Sequence, residues 1–325
     1  MESQDRACDS EPKKPLAGRR LLRQLDDHLA HLHARPVHGN RVLHYDHLVV
    51  AHLVMFFNPT VDSLRTLEDA FDDARVRERF GLPRPARSTV ADAQRTFDPA
   101  LLRPILEDLR RRIQRVPDRR LDELTRQVVA VDASCFEVAS RILWARARNC
   151  TSARGAVQLC LHLDALHGVP AGFTLIDGQS SERAELPAAI RGDCLYLLDR
   201  AYQSYEHLDL IAAADSDFVV RMRKSARFKS LRERPITMAD RLSHVISDCE
   251  VRPADAHSRF RVPVRLVELH DPDADEPVRL LTNRFDLSAT QIGLLYRYRW
   301  QIELFFRWPN AWPACSASRA YLEAE

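Results

Sequence analysis

The feature that most limits the folds open to this chain is a change of hydrophobic period near residue 126. Up to that point apolar residues recur at helical spacing. The segments are RRLLRQLDDHLAHLHA, HYDHLVVAHLVMFF, a Pro-started NPTVDSLRTLEDAF after Asn58, RSTVADAQRTF capped by Ser88, and DPALLRPILEDLRRRIQRV with Asp98 as cap and Pro99 at the first helical position. No strand pattern interrupts them. Short β-branched runs then take over in RQVVAVDAS, AVQLCLHLDA, GFTLIDG, DCLYLLDRAY and DFVVRMR, with the helical segments SSERAELPAAI and SYEHLDLIAAA between the later ones. Strands first, then strand–helix–strand alternation, predict an α/β fold whose mixed sheet is covered by helices and preceded by an all-helical domain.

The expected divisions are a polar, disordered tail at 1–17, a helical domain at 18–126 and a sheet domain at 127–308. The sheet domain is interrupted at about 224–283 by a segment rich in Arg, Pro and Asp. Strand-like pieces within it, HVISDCEVR, FRVPVRLVELH and VRLLTN, make it a β-rich insertion. Residues 309–325 form a tail without helical periodicity, and Pro309 predicts that the preceding helix breaks near Trp308.

Several classes are excluded. The longest apolar run, LVVAHLVMFF from Leu48, is too short to span a bilayer and contains His52, while the charged N-terminus lacks a signal-peptide core. A cytoplasmic protein with no membrane partner is expected. The seven cysteines are odd in number and form no zinc spacing, so they read as buried thiols of a reducing compartment. His28, His31, His33 and His38 have no ligand spacing closed by a Cys or an acid and read as surface histidines. A net charge of +2 is too small to point to any partner.

The chemistry lies in three carboxylates. Asp132, late in the strand VVAVDAS, and Asp199, at the end of CLYLLDRAY, each follow an apolar run, where an unpaired carboxylate is costly to desolvate. Converging carboxylates at strand ends are most simply stabilised by a divalent cation. In YRYRWQIELFFRW, on a helix starting near Ser288, Leu295, Tyr298, Ile302 and Phe305 make a buried stripe, and Tyr296, Arg299 and Glu303 make a second, polar one. Glu303 supplies the third oxygen donor. Taken singly, each aspartate reads as a turn residue and Glu303 as a surface ion-pair partner of Arg299 or Arg307; in this order and context they read as a site.

DRAYQSY at 199–205 and the YxxRxxxE spacing of Tyr296, Arg299 and Glu303 resemble the signatures of the DDE transposases of bacterial insertion sequences, in the group named for insertion sequence four. The resemblance covers roughly residues 84–308. It implies a ribonuclease-H-like core in which Asp132, Asp199 and Glu303 are catalytic and hold Mg2+, with Mn2+ as a substitute. Arg299 and Tyr296 would serve the scissile phosphate, and Tyr202 would pack or bond beside the site. The implied partner is double-stranded DNA at transposon inverted repeats, bound by a homodimer, with the helical domain binding DNA or dimerising and the protein nucleoid-associated when on DNA.

Between Ser216 and Pro235 seven basic residues face two acidic ones, and Phe218 and Phe228 lie among them. Arg221, Arg223, Lys224, Arg227 and Lys229 leave a strand beside the proposed site, which favours phosphate contact over a merely solvated loop. The family pattern also implies a lysine seven residues after the glutamate, where this chain has Asn310. That departure, with the unfamiliar tail, is expected of a C-terminally truncated or frameshifted chain. The choice is then between a transposase and a non-catalytic DNA-binding remnant that inhibits an intact copy.

Overall fold

In the computed structural model, which describes residues 16–35, 39, 42–114, 118–138, 155–254, 260, 262–272 and 276–310, the chain divides into two compact units. One comprises the described residues up to Leu109 and the other those from Arg110 onward. The tails at 1–17 and 309–325 lie outside the described residues except for 16–17 and 309–310, as do His38, Cys8, Cys150 and Cys315.

The N-terminal segments form α1 (Arg19–Leu22), α2 (Asp26–His33), α3 (Tyr45–Phe57), α4 (Leu64–Ala70), α5 (Ala74–Phe80), α6 (Arg87–Thr96) and α7 (Arg103–Arg112). The apolar faces of α1 to α6 meet in one cluster around Val54, Leu67, Phe71 and Val90. Asp98 accepts from Ala100 N at 2.9 Å and caps a single 3-10 turn, Pro99–Leu102, ahead of α7. Two expected helix starts are corrected. Pro59 lies in a turn, and α4 begins five residues later behind Ser63, whose hydroxyl accepts from Thr66 N at 3.2 Å. In α6 the first turn already closes from Val90 N to Ala86 O, so Ser88 comes too late to cap it.

The strands are β1 (Gln127–Val138), β2 (Gly155–Asp164), β3 (Val169–Asp177), β4 (Cys194–Leu198), β5 (Asp217–Arg221), β6 (Phe228–Glu233), β7 (Val245–Pro253), β8 (Val264–Leu269) and β9 (Val278–Thr282). Between them run α8 (Glu182–Ala189), α9 (Tyr205–Ala213) and α10 (Met238–Leu242), and α11 (Ala289–Tyr298) and α12 (Trp300–Asn310) follow. All described strands join one sheet, ordered β3-β2-β1-β4-β5-β9-β8-β7-β6. β1, β2 and β3 pair antiparallel, whereas β4 and β5 add in parallel after crossovers through α8 and α9. That order and sense are those of a ribonuclease-H-like fold. The β-rich segment does not form a separate sheet: β9 pairs antiparallel with β5, and β8, β7 and β6 extend the same surface.

Strand alternation sets the two faces. Val128 and Ala130 of β1 and Leu195 and Leu197 of β4 meet Ile292, Leu295 and Ile302 of α11 and α12. Val129, Val131, Tyr196 and Leu198 face Leu186 of α8 and Leu208 and Ile211 of α9. β4 is buried at every residue, as a central strand covered on both sides must be.

The helix expected from Ser288 through Trp308 is two helices. Ser288 caps α11 by accepting from Gln291 N at 3.1 Å. At Arg299 a tighter turn, with Arg299 N donating to Tyr296 O at 3.1 Å, separates α11 from α12. The buried stripe takes in Leu295, Ile302 and Phe306, with Tyr298 and Phe305 at its margins. Among the described residues the helix does not break at Trp308 but runs to Asn310. Among the described cysteines Cys160 and Cys194 are buried, but Cys135 is exposed, against expectation. No helix of the described residues is long and apolar enough to cross a membrane.

His162 of β2 is 7% exposed and lies edge-on to Tyr196, with ring centroids 6.3 Å apart. Burial, with a smaller effect of the Arg191 guanidinium, pulls its imidazole down to about 4. The unfolded imidazole takes up a proton near its ordinary value of about 6.5, so acid favours the unfolded chain between the two values. Stability is therefore expected to fall as pH drops through this window, by roughly 3 kcal/mol from this residue, and to be unaffected by it above. His162→Gln should flatten the acid limb of a urea-denaturation profile, and an unchanged limb would show that the ring titrates normally.

Candidate active site

The parallel register of β1 on β4 sets Ala130 opposite Leu197, an offset of 67 residues. Asp132 and Asp199 are separated by the same 67 residues. Extended by two residues, the register brings the aspartates side by side on strands about 4.8 Å apart. Both continue the alternation toward α11 and α12. The Asp132 carboxylate accepts from Ala133 N at 2.8 Å, and the Asp199 carboxylate from Ala201 N at 2.7 Å, capping a 3-10 turn, Arg200–Tyr202.

α12 packs across β1 and β2 and brings Glu303 to the same edge. There Glu303 accepts from an Arg299 terminal nitrogen, and the Arg299 guanidinium also lies over the Tyr296 ring, 5.7 Å from its centroid. Burial pushes the Asp132 carboxyl above its ordinary value. The Ala133 amide and the Arg299 charge oppose that rise, and the negative charges of Asp199 and Glu303 add to it. The three acids and the arginine thus share one electrostatic environment. Burial likewise raises the Tyr296 phenol, against the pull of Arg299 and Arg221 and with a push from Asp199.

Several buried polar atoms here lack a hydrogen-bond partner among the described residues: Tyr296 Oη, Arg299 Nε and Tyr202 Oη. Unmet polar atoms around clustered carboxylates are what a site awaiting a ligand would present. Tyr202 is 1% exposed, and burial raises its phenol strongly, with Glu182 and Asp132 adding to the shift.

Glu182 is the residue that sequence reasoning passed over. It opens α8, accepts from Gln158 Nε2 at 3.1 Å, and has its carboxyl pushed up by burial and then by the charges of Asp132 and Asp199. The signal available was its place at the start of the crossover helix before the Asp199 strand; nothing in SSERAELP alone singles out that glutamate from Glu185.

The expected DNA-contact residues lie on and after β5. Arg221 is half-buried near Tyr296, whereas Arg223, Lys224, Arg227 and Lys229 are exposed. Arg223 N donates to Gln203 Oε1 at 2.8 Å, tying this loop to the turn after Asp199. Arg279 reaches the carbonyls of Arg223, Lys224 and Ala226 from the other side, so the loop backbone is held and the basic side chains face outward. Lys224 pairs with Glu276, both exposed. The two phenylalanines are not free to meet bases. Phe218 is fully buried, and Phe228 lies under the Arg279 guanidinium at 5.6 Å.

The chain belongs to the transposase DDE domain family, whose family model matches residues 123–314. It is similar to a transposase candidate designated y4zB of Sinorhizobium fredii (strain NBRC 101917 / NGR234), 37% identical over 122 residues, covering 37% of this chain and 34% of the relative. It is also similar to a transposase candidate for insertion sequence element IS5377 of Geobacillus stearothermophilus, 26% identical over 239 residues, covering 72% and 61% respectively. The chain thus spans about a third and about three-fifths of these relatives' lengths. A cryo-EM structure of a piggyBac transposase synaptic complex with hairpin DNA matches with a TM-score of 0.41 at 14% identity, over 89% of this chain and 64% of that one.

The raised Asp132 carboxyl has a thermodynamic consequence. The folded chain holds that proton more tightly than the unfolded one, so the penalty is absent in acid and grows as pH rises through the raised value. In chelator at neutral pH, Asp132→Asn is expected to melt higher than the parent, by about 1 kcal/mol in stability. The gap should close as pH falls into the ordinary carboxylate range. A variant that melts lower than the parent at neutral pH would contradict a carboxyl raised by burial in the folded chain.

Proposed function

We propose that this chain is a DNA transposase of the insertion-sequence-four group that cuts phosphodiesters at its element's ends and transfers the freed strand, with Asp132, Asp199 and Glu303 as the catalytic acids. The observation that carries this reading is that Asp132, half-buried midway along β1, feels Arg299, Asp199 and Glu303 together. Chain segments 67 and 104 residues apart contribute to that one environment, and no structural need of the sheet calls for three acids there.

The divalent cation implied by the family, magnesium with manganese as its substitute, fits this donor set of hard carboxylate oxygens. Asp132, Asp199 and Glu303 would hold it, and when bound it supplies an activated nucleophile and neutralises charge on the leaving oxygen. The chain's own residues do the rest. Ala133 N and Ala201 N fix the two aspartates. Arg299, seated on Tyr296, has its Nε buried and without a partner among the described residues, ready for a phosphate oxygen. The Tyr296 hydroxyl, buried and raised, stays protonated and can donate to the same phosphate. Exposed Arg223, Lys224, Arg227 and Lys229 would track the DNA backbone leading to the Asp199 turn, and a homodimer on paired inverted repeats would present two such sites.

A second reading, a non-catalytic DNA-binding remnant, is favoured by the neutral Asn310 where the family pattern has a lysine. Incubating the chain with its element's ends and Mg2+ or Mn2+ separates the two. Asp132-dependent cleavage supports the enzyme, while DNA binding without cleavage, restored by Asn310→Lys, supports the remnant. Binding itself is expected to weaken steeply with salt. Neutralising Arg223, Lys224 and Arg227 together should lower the salt slope by about two to three units, and an unchanged slope would move the DNA surface elsewhere.

A further inference from the structure

The histidines of the first helices, each unremarkable by spacing, are not all surface residues going their own way. His28 pairs with Asp108 at 2.8 Å, and His31 Nδ1 bonds Asp27 O at 2.6 Å within its own helix. His33 differs: contrary to the expectation that no acid closes a ligand set, its Nδ1 lies 3.0 Å from Asp46 Oδ2. His47 Nε2 lies 3.7 Å from the same oxygen. One ligand atom from each of His33, Asp46 and His47 falls within 4.8 Å of the others.

We propose that His33, Asp46 and His47 form a binding site for a zinc-class divalent cation that ties the end of α2 to the start of α3. A tetrahedral ion with bonds of about 2.0–2.1 Å holds its ligand atoms about 3.3–3.4 Å apart, and the separations of Asp46 Oδ2 from His33 and from His47 bracket that edge. Two imidazole nitrogens and one carboxylate oxygen suit zinc; the set has too few oxygens for calcium or magnesium and no thiolate for softer ions.

Independent observations point the same way. Asp46 Oδ1 is buried without a hydrogen-bond partner among the described residues, so the carboxylate is not satisfied by protein alone. The rings are held together around the carboxylate: His33 stacks on His44 at 4.4 Å, and His47 stands edge-on to both at 5.5 Å. His33 is the last residue of α2, where carbonyl ends favour a cation, and Asp46 in the first turn of α3 offsets the opposite sign of that helix end. His47 Nδ1 accepts from His44 N at 3.2 Å, which leaves the ring proton on Nε2. Coordination through Nε2 moves that proton to Nδ1 and gives up this long cap contact, with no net proton released. Water can take the fourth position beside the exposed His33.

The test uses the full chain with Asp132→Asn, Asp199→Asn and Glu303→Gln, so that the carboxylate site of the sheet does not bind the probe. Titration with Co2+ should show one tetrahedral cobalt per chain by its intense visible band, without a sulfur-to-cobalt charge-transfer band, and Zn2+ should abolish it. Asp46→Asn, His47→Gln and His33→Gln, made in the same background, should each weaken Co2+ at least about tenfold, whereas His31→Gln should not. Because His33 is exposed, its variant tests the site without disturbing the core: Zn2+ should raise the parent's melting temperature and leave that of His33→Gln unmoved. No cobalt band in the parent, or binding by His33→Gln and Asp46→Asn as tight as the parent's, would overturn the proposal and leave a His33–Asp46 hydrogen bond in its place.

Discussion

The parallel pairing of β1 with β4 is the constraint on which the candidate site depends. Its offset of 67 residues makes neighbours of Asp132 and Asp199, and a slip of one residue would send one of them to the opposite face of the sheet. The register is fixed by burial on both sides. Every residue of β4 is inaccessible, and its alternate residues are claimed by α8 and α9 on one face and by α11 and α12 on the other. The fold therefore uses hydrophobic burial to hold two like charges together, and that burial, with a smaller push from Asp199 and Glu303, raises the Asp132 carboxyl.

The third acid depends on how the last helices are seated. Arg265, 1% exposed, grips Asp248 through two 2.7 Å bonds between β8 and β7, and its remaining nitrogen donates to Leu287 O at 2.6 Å, just before the Ser288 cap. Asp240 accepts from Thr290 N and Oγ1 at 3.0 and 2.8 Å; burial works against its ionisation, but the bonds from Thr237 and Thr290 hold its carboxyl below the ordinary value. Gly293 lets α11 lie close on β8, since a Cβ there would come within 2.8 Å of Leu269 Cδ2. Removing one partner of a buried pair such as Arg265–Asp248 costs about 3–5 kcal/mol. The β-rich segment thus anchors the helix pair that carries Glu303.

Much of this was legible in the sequence because burial writes a period. The alternation in RQVVAVDAS and CLYLLDRAY located the aspartate strands, and the three-four spacing of Tyr296, Arg299 and Glu303 located the arginine beside its glutamate. What escaped had no local period. The tight turn at Arg299 leaves both flanking residues helical, so the pattern reads as one helix. Glu182 gains its meaning from strands on either side of it in space, and His33 meets Asp46 and His47 only because α2 and α3 pack together. Spacing within one helix cannot reveal a partner on the next.

The central claim is that Asp132, Asp199 and Glu303 form one cation site at the β1/β4 edge. The most direct measurement is an anomalous difference map from crystals of the full chain soaked in Mn2+. The account predicts manganese between the Asp132 and Asp199 carboxylates, with Glu303 on the same ion or its neighbour. Manganese found elsewhere, with the three carboxylates unliganded at saturating Mn2+, would contradict it.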